Sequence, residues 1–152
     1  MKLKPLLLTA LLLTPLAQAA SLEPLEVHNP YARATPPNAP ASAAFMMLHN
    51  NNDVARYVVS ATTPAAETVE LHNHVKEGDV MKMRQVSEIE VPANGKATLK
   101  PGSLHIMFFD LKKPFAEDDS IELTLTMKNG DTQTITTPIK KVMKGMKHKH
   151  KH

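Results

Sequence analysis

The chain has 152 residues, of which 42% are hydrophobic and 22% charged, and it has no cysteine. Without a thiol there can be no disulfide scaffold, thiol redox enzyme, cysteine zinc site, iron–sulfur cluster, c-type haem attachment or blue-copper centre, and no lipid carried on a cysteine after an export signal. The formal net charge of +3 is uneven: six lysines lie in the last thirteen residues, whereas residues 20–139 carry ten basic against fifteen acidic side chains, or −5. Such an acidic body, with 2 Tyr, 4 Phe and no Trp, lacks the basic face and the stacking platforms that nucleic-acid binding requires.

Residues 1–19 read as a cleaved signal peptide. Lys2 and Lys4 form the positive start, Leu6 to Leu16 the apolar run, and Ala17-Gln18-Ala19 the small-x-small cleavage site. The apolar run is too short to span a bilayer core of ~30 Å, and no second run approaches that length. The expected product is a periplasmic protein without a membrane span, folding as one domain over residues 20–139.

Short alternating runs punctuated by turn residues follow, the pattern of a β-sandwich or small barrel, and helical periodicity is missing. Strands are expected at 25–28, 31–34, 43–49, 56–61, 67–75, 80–87, 96–100, 104–111, 120–127 and 132–136. Turn signals separate them, among them Pro36-Pro37-Asn38-Ala39-Pro40, Glu77-Gly78-Asp79, Pro101-Gly102 and Asn129-Gly130. Ile121, Leu123, Leu125 and Met127 alternate with polar residues, and Asn129-Gly130 then predicts a two-residue type I′ hairpin. Residues 140–152 (KKVMKGMKHKHKH) break the pattern and are expected to form a disordered tail rich in Met, His and Lys.

Histidine and methionine carry the chemistry. A hairpin centred on Glu77-Gly78 would oppose His74 to Met81 and His72 to Met83, placing Glu70, His72, His74, Met81 and Met83 on one face. His105 and Met107 share a face of a later strand, with Leu104, Ile106 and Phe108 opposite. Thioether sulfur is soft and neutral, so imidazole plus thioether without thiolate points to Cu(I) rather than Zn²⁺, Mg²⁺ or Ca²⁺. The expected metal ligands are His72, Met83, His105 and Met107, with His74 and Met81 as secondary candidates. His28, His49, Met46, Met47 and Met127 read as ordinary surface or core positions.

The spacing His72-x10-Met83-x21-His105-x-Met107 resembles the H(M)-x10-M-x21-H-x-M pattern of the periplasmic copper chaperone family often called PCuAC. The segments Tyr31-Ala32-Arg33-Ala34-Thr35-Pro36-Pro37, Val69-Glu70-Leu71-His72, Met81-Lys82-Met83-Arg84 and Leu99-Lys100-Pro101-Gly102 are also similar to that family, and the likeness covers residues 22–139. Asn73 stands where the pattern's optional methionine would be. The resemblance implies an all-β, cupredoxin-like Greek-key barrel or sandwich. It also implies one bound Cu(I), passed by ligand exchange to the apo CuA subunit of cytochrome c oxidase, often alongside a Sco-type protein.

The tail adds a second candidate site, Met143, Met146, His148, His150 and His152, whose imidazoles suit Cu(II). Some members of the family are similar in carrying such an extension. No nucleophile elbow, H-E-x-x-H or phosphate loop is visible, so no enzyme is expected. Two alternatives remain: a copper-buffering or tolerance protein without a dedicated acceptor, and an Ig-like adhesion or assembly module whose His and Met are incidental.

Overall fold

The computed structural model describes residues 21–141, which form ten strands and, among the described residues, no helix. The strands are β1 (Glu26–Arg33), β2 (Ala41–His49), β3 (Arg56–Thr62), β4 (Ala66–Glu77), β5 (Val80–Gln85), β6 (Ile89–Val91), β7 (Lys96–Leu99), β8 (His105–Leu111), β9 (Ser120–Met127) and β10 (Thr132–Lys140). They follow the path β5-β4-β8-β2-β1-β10-β9-β3-β6, with β7 also on β2. A parallel pairing of Ala32 with Ile139 and Arg33 with Lys140 joins the two sheets through β1 and β10. The path stays open at β5 and β6, so the single all-β domain is a sandwich rather than a closed barrel.

Alternation assigns the faces. Inward-pointing Leu48, Val58, Ile89, Ile106, Phe108, Leu123 and Leu125 come from both sheets and are fully buried, with the Phe108 ring edge-on to Phe115 at 5.6 Å. Each such large apolar side chain contributes about 1.5–3 kcal/mol by leaving water. Met46 and Met127 belong to this core, as their sequence positions suggested.

Local geometry departs from expectation in five places. Residues 25–34 hold one bulged strand rather than two, the register shifting between His28 and Tyr31 around Asn29, whose φ is 50°. β6 is a three-residue strand the pattern did not announce, and β10 runs on to Lys140 along β1, one residue into the segment assigned to the tail. The Asn129-Gly130 hairpin is not type I′, which needs positive φ at both residues; only Gly130 has it, at 93°. Gly130 N–H donates to Met127 C=O, and Met127 N–H to Asp131 C=O, closing a three-residue loop over Lys128, Asn129 and Gly130.

The fifth departure concerns the candidate site. The β4–β5 turn is the two-residue Gly78-Asp79 with Gly78 at φ 63°, so Glu77 opposes Val80, His74 opposes Met83, and His72 opposes Gln85. Compared with the hairpin centred on Glu77-Gly78, the pairing is displaced by two residues, which preserves the faces and changes the partners.

β7 and β8 lie end to end on one edge of β2. Leu99 pairs with Met46 and Ile106 with Ala44, so the intervening 100–104 segment is pushed out of the ladder. It is closed by hydrogen bonds from Lys100 N–H to Leu104 C=O and from Ser103 N–H to Lys100 C=O.

Candidate metal centre

On β8 the core-facing Ile106 and Phe108 force His105, Met107 and Phe109 onto the outward face. Cross-strand pairing gathers the rest there: His105 opposes His72, Met107 opposes Glu70 on β4 and Ala43 on β2, and His74 opposes Met83. A cleft of about 290 Å³ opens on this face, walled by Arg33, Phe45, His74, Met83, His105 and Met107 and by the extruded Pro101-Gly102 turn.

His105 is 3% exposed, and its Nδ1 lies 2.8 Å from the Ser103 carbonyl. A carbonyl can only accept, so Nδ1 carries the proton and Nε2 of the neutral ring presents a lone pair. That Nε2 sits 3.1 Å from Met83 Sδ, itself an acceptor. Two acceptors at this separation with no hydrogen between them suit a shared soft cation. Burial pushes the His105 pKa below the usual 6.5; the Ser103 hydrogen bond opposes this, and the nearby His74, His72 and Arg33 reinforce it. Neutral imidazole is the metal-binding form.

His72 is also buried. Its Nε2 lies 2.7 Å from Glu70 Oε2, and its Nδ1 has no hydrogen-bond partner. With the proton on Nε2 toward the carboxylate, Nδ1 is a buried lone pair without a donor, a costly arrangement unless a ligand uses it. The His72 and His105 ring centroids are 5.8 Å apart, and those of His74 and His105 5.3 Å.

Of the four expected ligands, Met83, His105 and Met107 line the cleft directly, whereas His72 does not, its ring lying 5.8 Å from that of His105. His74 lines the cleft too, because the true register sets it against Met83. Met81, opposed to Lys76 and 56% exposed, projects from the arm toward the turn and does not line it. Arg33 and Phe45 were not named as site residues from the sequence; the hints were Arg33's place in the family-like Tyr31 to Pro37 segment and both residues' outward positions on strands β1 and β2. The guanidinium of Arg33 stacks over the Phe45 ring at 5.4 Å, which closes the floor of the cleft. The tail candidates Met143, Met146, His148, His150 and His152, and the signal segment 1–19, lie outside the described residues.

No three His, Asp or Glu side chains converge as a metal site among the described residues. Any centre here therefore depends on its thioethers, which separates it from zinc and calcium sites. Nor is any helix among the described residues long and apolar enough to cross a membrane.

Fold and donor set together define a class: a β-sandwich presenting imidazole and thioether on one outward sheet face. The LpqE-like family, described as "Putative lipoprotein LpqE-like", matches residues 25–139, and the chain belongs to it. A protein of Leifsonia xyli subsp. xyli, "Putative lipoprotein Lxx21020", is 33% identical over 100 residues, 65% of this chain; the chain spans 60% of that relative's length. Among solved structures, the copper-bound PCuAC domain from PmoF2 superposes with a TM-score of 0.67 at 17% identity, covering 81% of this chain and 97% of its own. The Cu(I) form of DR1885 from Deinococcus radiodurans superposes with a TM-score of 0.64 at 29% identity, covering 84% and 83%. The fold is thus that of PCuAC domains, as the resemblance to that family implied.

Proposed function

We propose that this protein is an exported, non-enzymatic Cu(I) carrier that holds its cargo through Met83, His105, Met107 and His72, and delivers it to the apo CuA subunit of cytochrome c oxidase. The observation that carries the reading is the His105 Nε2 to Met83 Sδ approach of 3.1 Å in a cleft shared with Met107 and His74. The copper-bound domain of PmoF2 and the Cu(I) form of DR1885 support it by fold. Export is supported by the lipoprotein descriptions of the family and of the Leifsonia relative.

The arrangement suits release as well as capture. Met107 and His105 sit on β8, inside the sheet, whereas Met83 stands 42% exposed on β5, the end strand of the path. An acceptor ligand arriving from solvent meets the Met83 side first, adds to a low-coordinate Cu(I), and displaces the thioether before the imidazoles let go. Glu70 holds the His72 proton on Nε2 and leaves the unpartnered Nδ1 as the lone pair for the cargo, so handover requires no proton from that ring.

An anaerobic Cu(I) competition titration against a chromophoric chelator tests the reading. The chain should be cut after Lys141, because Ala34 N–H bonds the Lys140 carbonyl and a shorter cut would fray β10. An equivalent held by the folded domain and weakened in both His105→Ala and Met83→Ala is expected, followed by its transfer to an apo CuA domain. Binding indifferent to both substitutions overturns the site. Tight binding without transfer overturns delivery and leaves copper buffering.

A further inference from the structure

The same outward face carries a second histidine and methionine cluster, on strands that contribute no donor to the first. Glu26 opposes His49, and His28 opposes Met47, across the β1–β2 ladder. Opposed residues share a face, so these four side chains stand together. His49 Nε2 lies 3.0 Å from Met47 Sδ, and the His28 and His49 rings meet edge-to-face with centroids 4.6 Å apart. Glu26 Oε2 is 3.3 Å from His28 Nε2.

We infer that His28, Met47 and His49 form a second Cu(I) site. Its donor chemistry is that of the first centre: two imidazoles, which bind when neutral, and a thioether, which selects a soft ion and needs no deprotonation. Glu26 supplies one negative charge beside the site and fixes the His28 ring, as a carboxylate does behind a liganding histidine. Lys96 of β7 opposes His49 from the other side and, on its long stem, keeps its ammonium in water.

Access is open. His28 is exposed, while Met47 and His49 are half-buried. A shallow cleft of about 150 Å³ beside them is lined by His28, Tyr31, Phe45, Met47 and Thr98. Phe45 walls both clefts. Met47 lies four residues, about 13 Å at ~3.3 Å per residue, along β2 from Ala43, which pairs with Met107, and the Phe45 ring, 6.2 Å from that of His105, stands between the two clusters. They are close enough to share a face and too far apart to share an ion.

Anaerobic Cu(I) titration of the full chain carrying ¹³C-methyl methionine, followed by NMR, reads each thioether separately, those of Met143 and Met146 included. The Met47 methyl and the His28 and His49 ring signals should move together and saturate with one equivalent. They should do so unchanged in a His105→Ala/Met83→Ala variant. Met47→Leu, which conserves volume, should abolish that equivalent while the Met83 and Met107 methyls still respond. Silence at Met47 while Met83 and Met107 respond overturns the second site, and so does a Met47 response that disappears in the double variant. Ring shifts with Zn(II) and none at Met47 with Cu(I) overturn the soft-metal assignment. A Met47 response with Met83 and Met107 silent would sustain this site and defeat the first.

Discussion

The outward faces of the two sheets rest on the same alternation and carry opposite chemistry. On β9 and β10 the outward positions are hydroxyls and carboxylates that satisfy one another: Thr124 and Thr134 share a hydrogen bond of 2.9 Å, and Thr136 donates to Glu122 at 2.9 Å. On β8, β4 and β5 the equivalent positions hold His105, Met107, His72, His74 and Met83, and the buried Nδ1 of His72 has no partner. A sandwich needs only the inner face of each sheet to fold. The outer face of the second sheet is left to water, whereas that of the first is half covered by Phe45 and by the extruded 100–104 segment without becoming core. Cover there desolvates donor atoms rather than apolar surface.

The largest effect that tests this contrast is on stability. Phe108→Ala, on the inner face of β8, should cost about 3–5 kcal/mol in urea unfolding. His105→Ala, one face over, should cost clearly less while weakening Cu(I) binding at the cleft of Met83 and Met107 in the chelator competition. Equal destabilisation by the two would make the outward face part of the core and remove the distinction.

Protonation gives the next effect. The His105 pKa in the folded protein lies below its unfolded value, so the unfolded chain binds more protons between the two. The stability contributed by neutral His105 is therefore complete above about pH 6.5 and is lost as pH falls from there through the lowered folded value. An NMR titration of the His105 ring should give a midpoint below 6.5, and Cu(I) competition should weaken over the same acidic range. A midpoint above 6.5 would mean that the cover does not desolvate the ring.

A smaller change is expected at the extruded turn. Gly102 has φ 81° with open space around its Cβ position, so Gly102→Ala costs only backbone strain, about 1 kcal/mol in thermal or urea unfolding. Smallest of all, Thr124→Val on the outer face of the second sheet should shift stability by only a few tenths of a kcal/mol and leave Cu(I) binding unchanged.

Alternation made the faces legible in the sequence. His72, His74 and Met83 were correctly grouped because the side-chain period of a strand is two whatever the turn does. Which of them oppose depended on whether Gly78 opened or ended the turn, and that is decided by its positive φ, a conformational choice the residue types alone leave open. His74 consequently stood as a secondary candidate, although the structure sets it directly against Met83. The parallel pairing of β1 with β10 joins chain segments over a hundred residues apart and has no local signature. His28, Met47 and His49 read as unrelated surface or core positions because the bulge at Asn29 sets the β1–β2 register. Pro101-Gly102 read as a turn between neighbouring strands, although β7 and β8 both continue along the same edge of β2.

That shared edge bears on how such a protein can diversify. Because the 100–104 segment leaves the ladder and returns to it, residues added or lost there change neither the pairing of Leu99 with Met46 nor that of Ile106 with Ala44. What they change is where the Ser103 carbonyl stands, and with it the tilt and proton placement of one imidazole. Variation in a few loop positions can therefore retune one imidazole of the proposed copper site while the inherited scaffold stays the same.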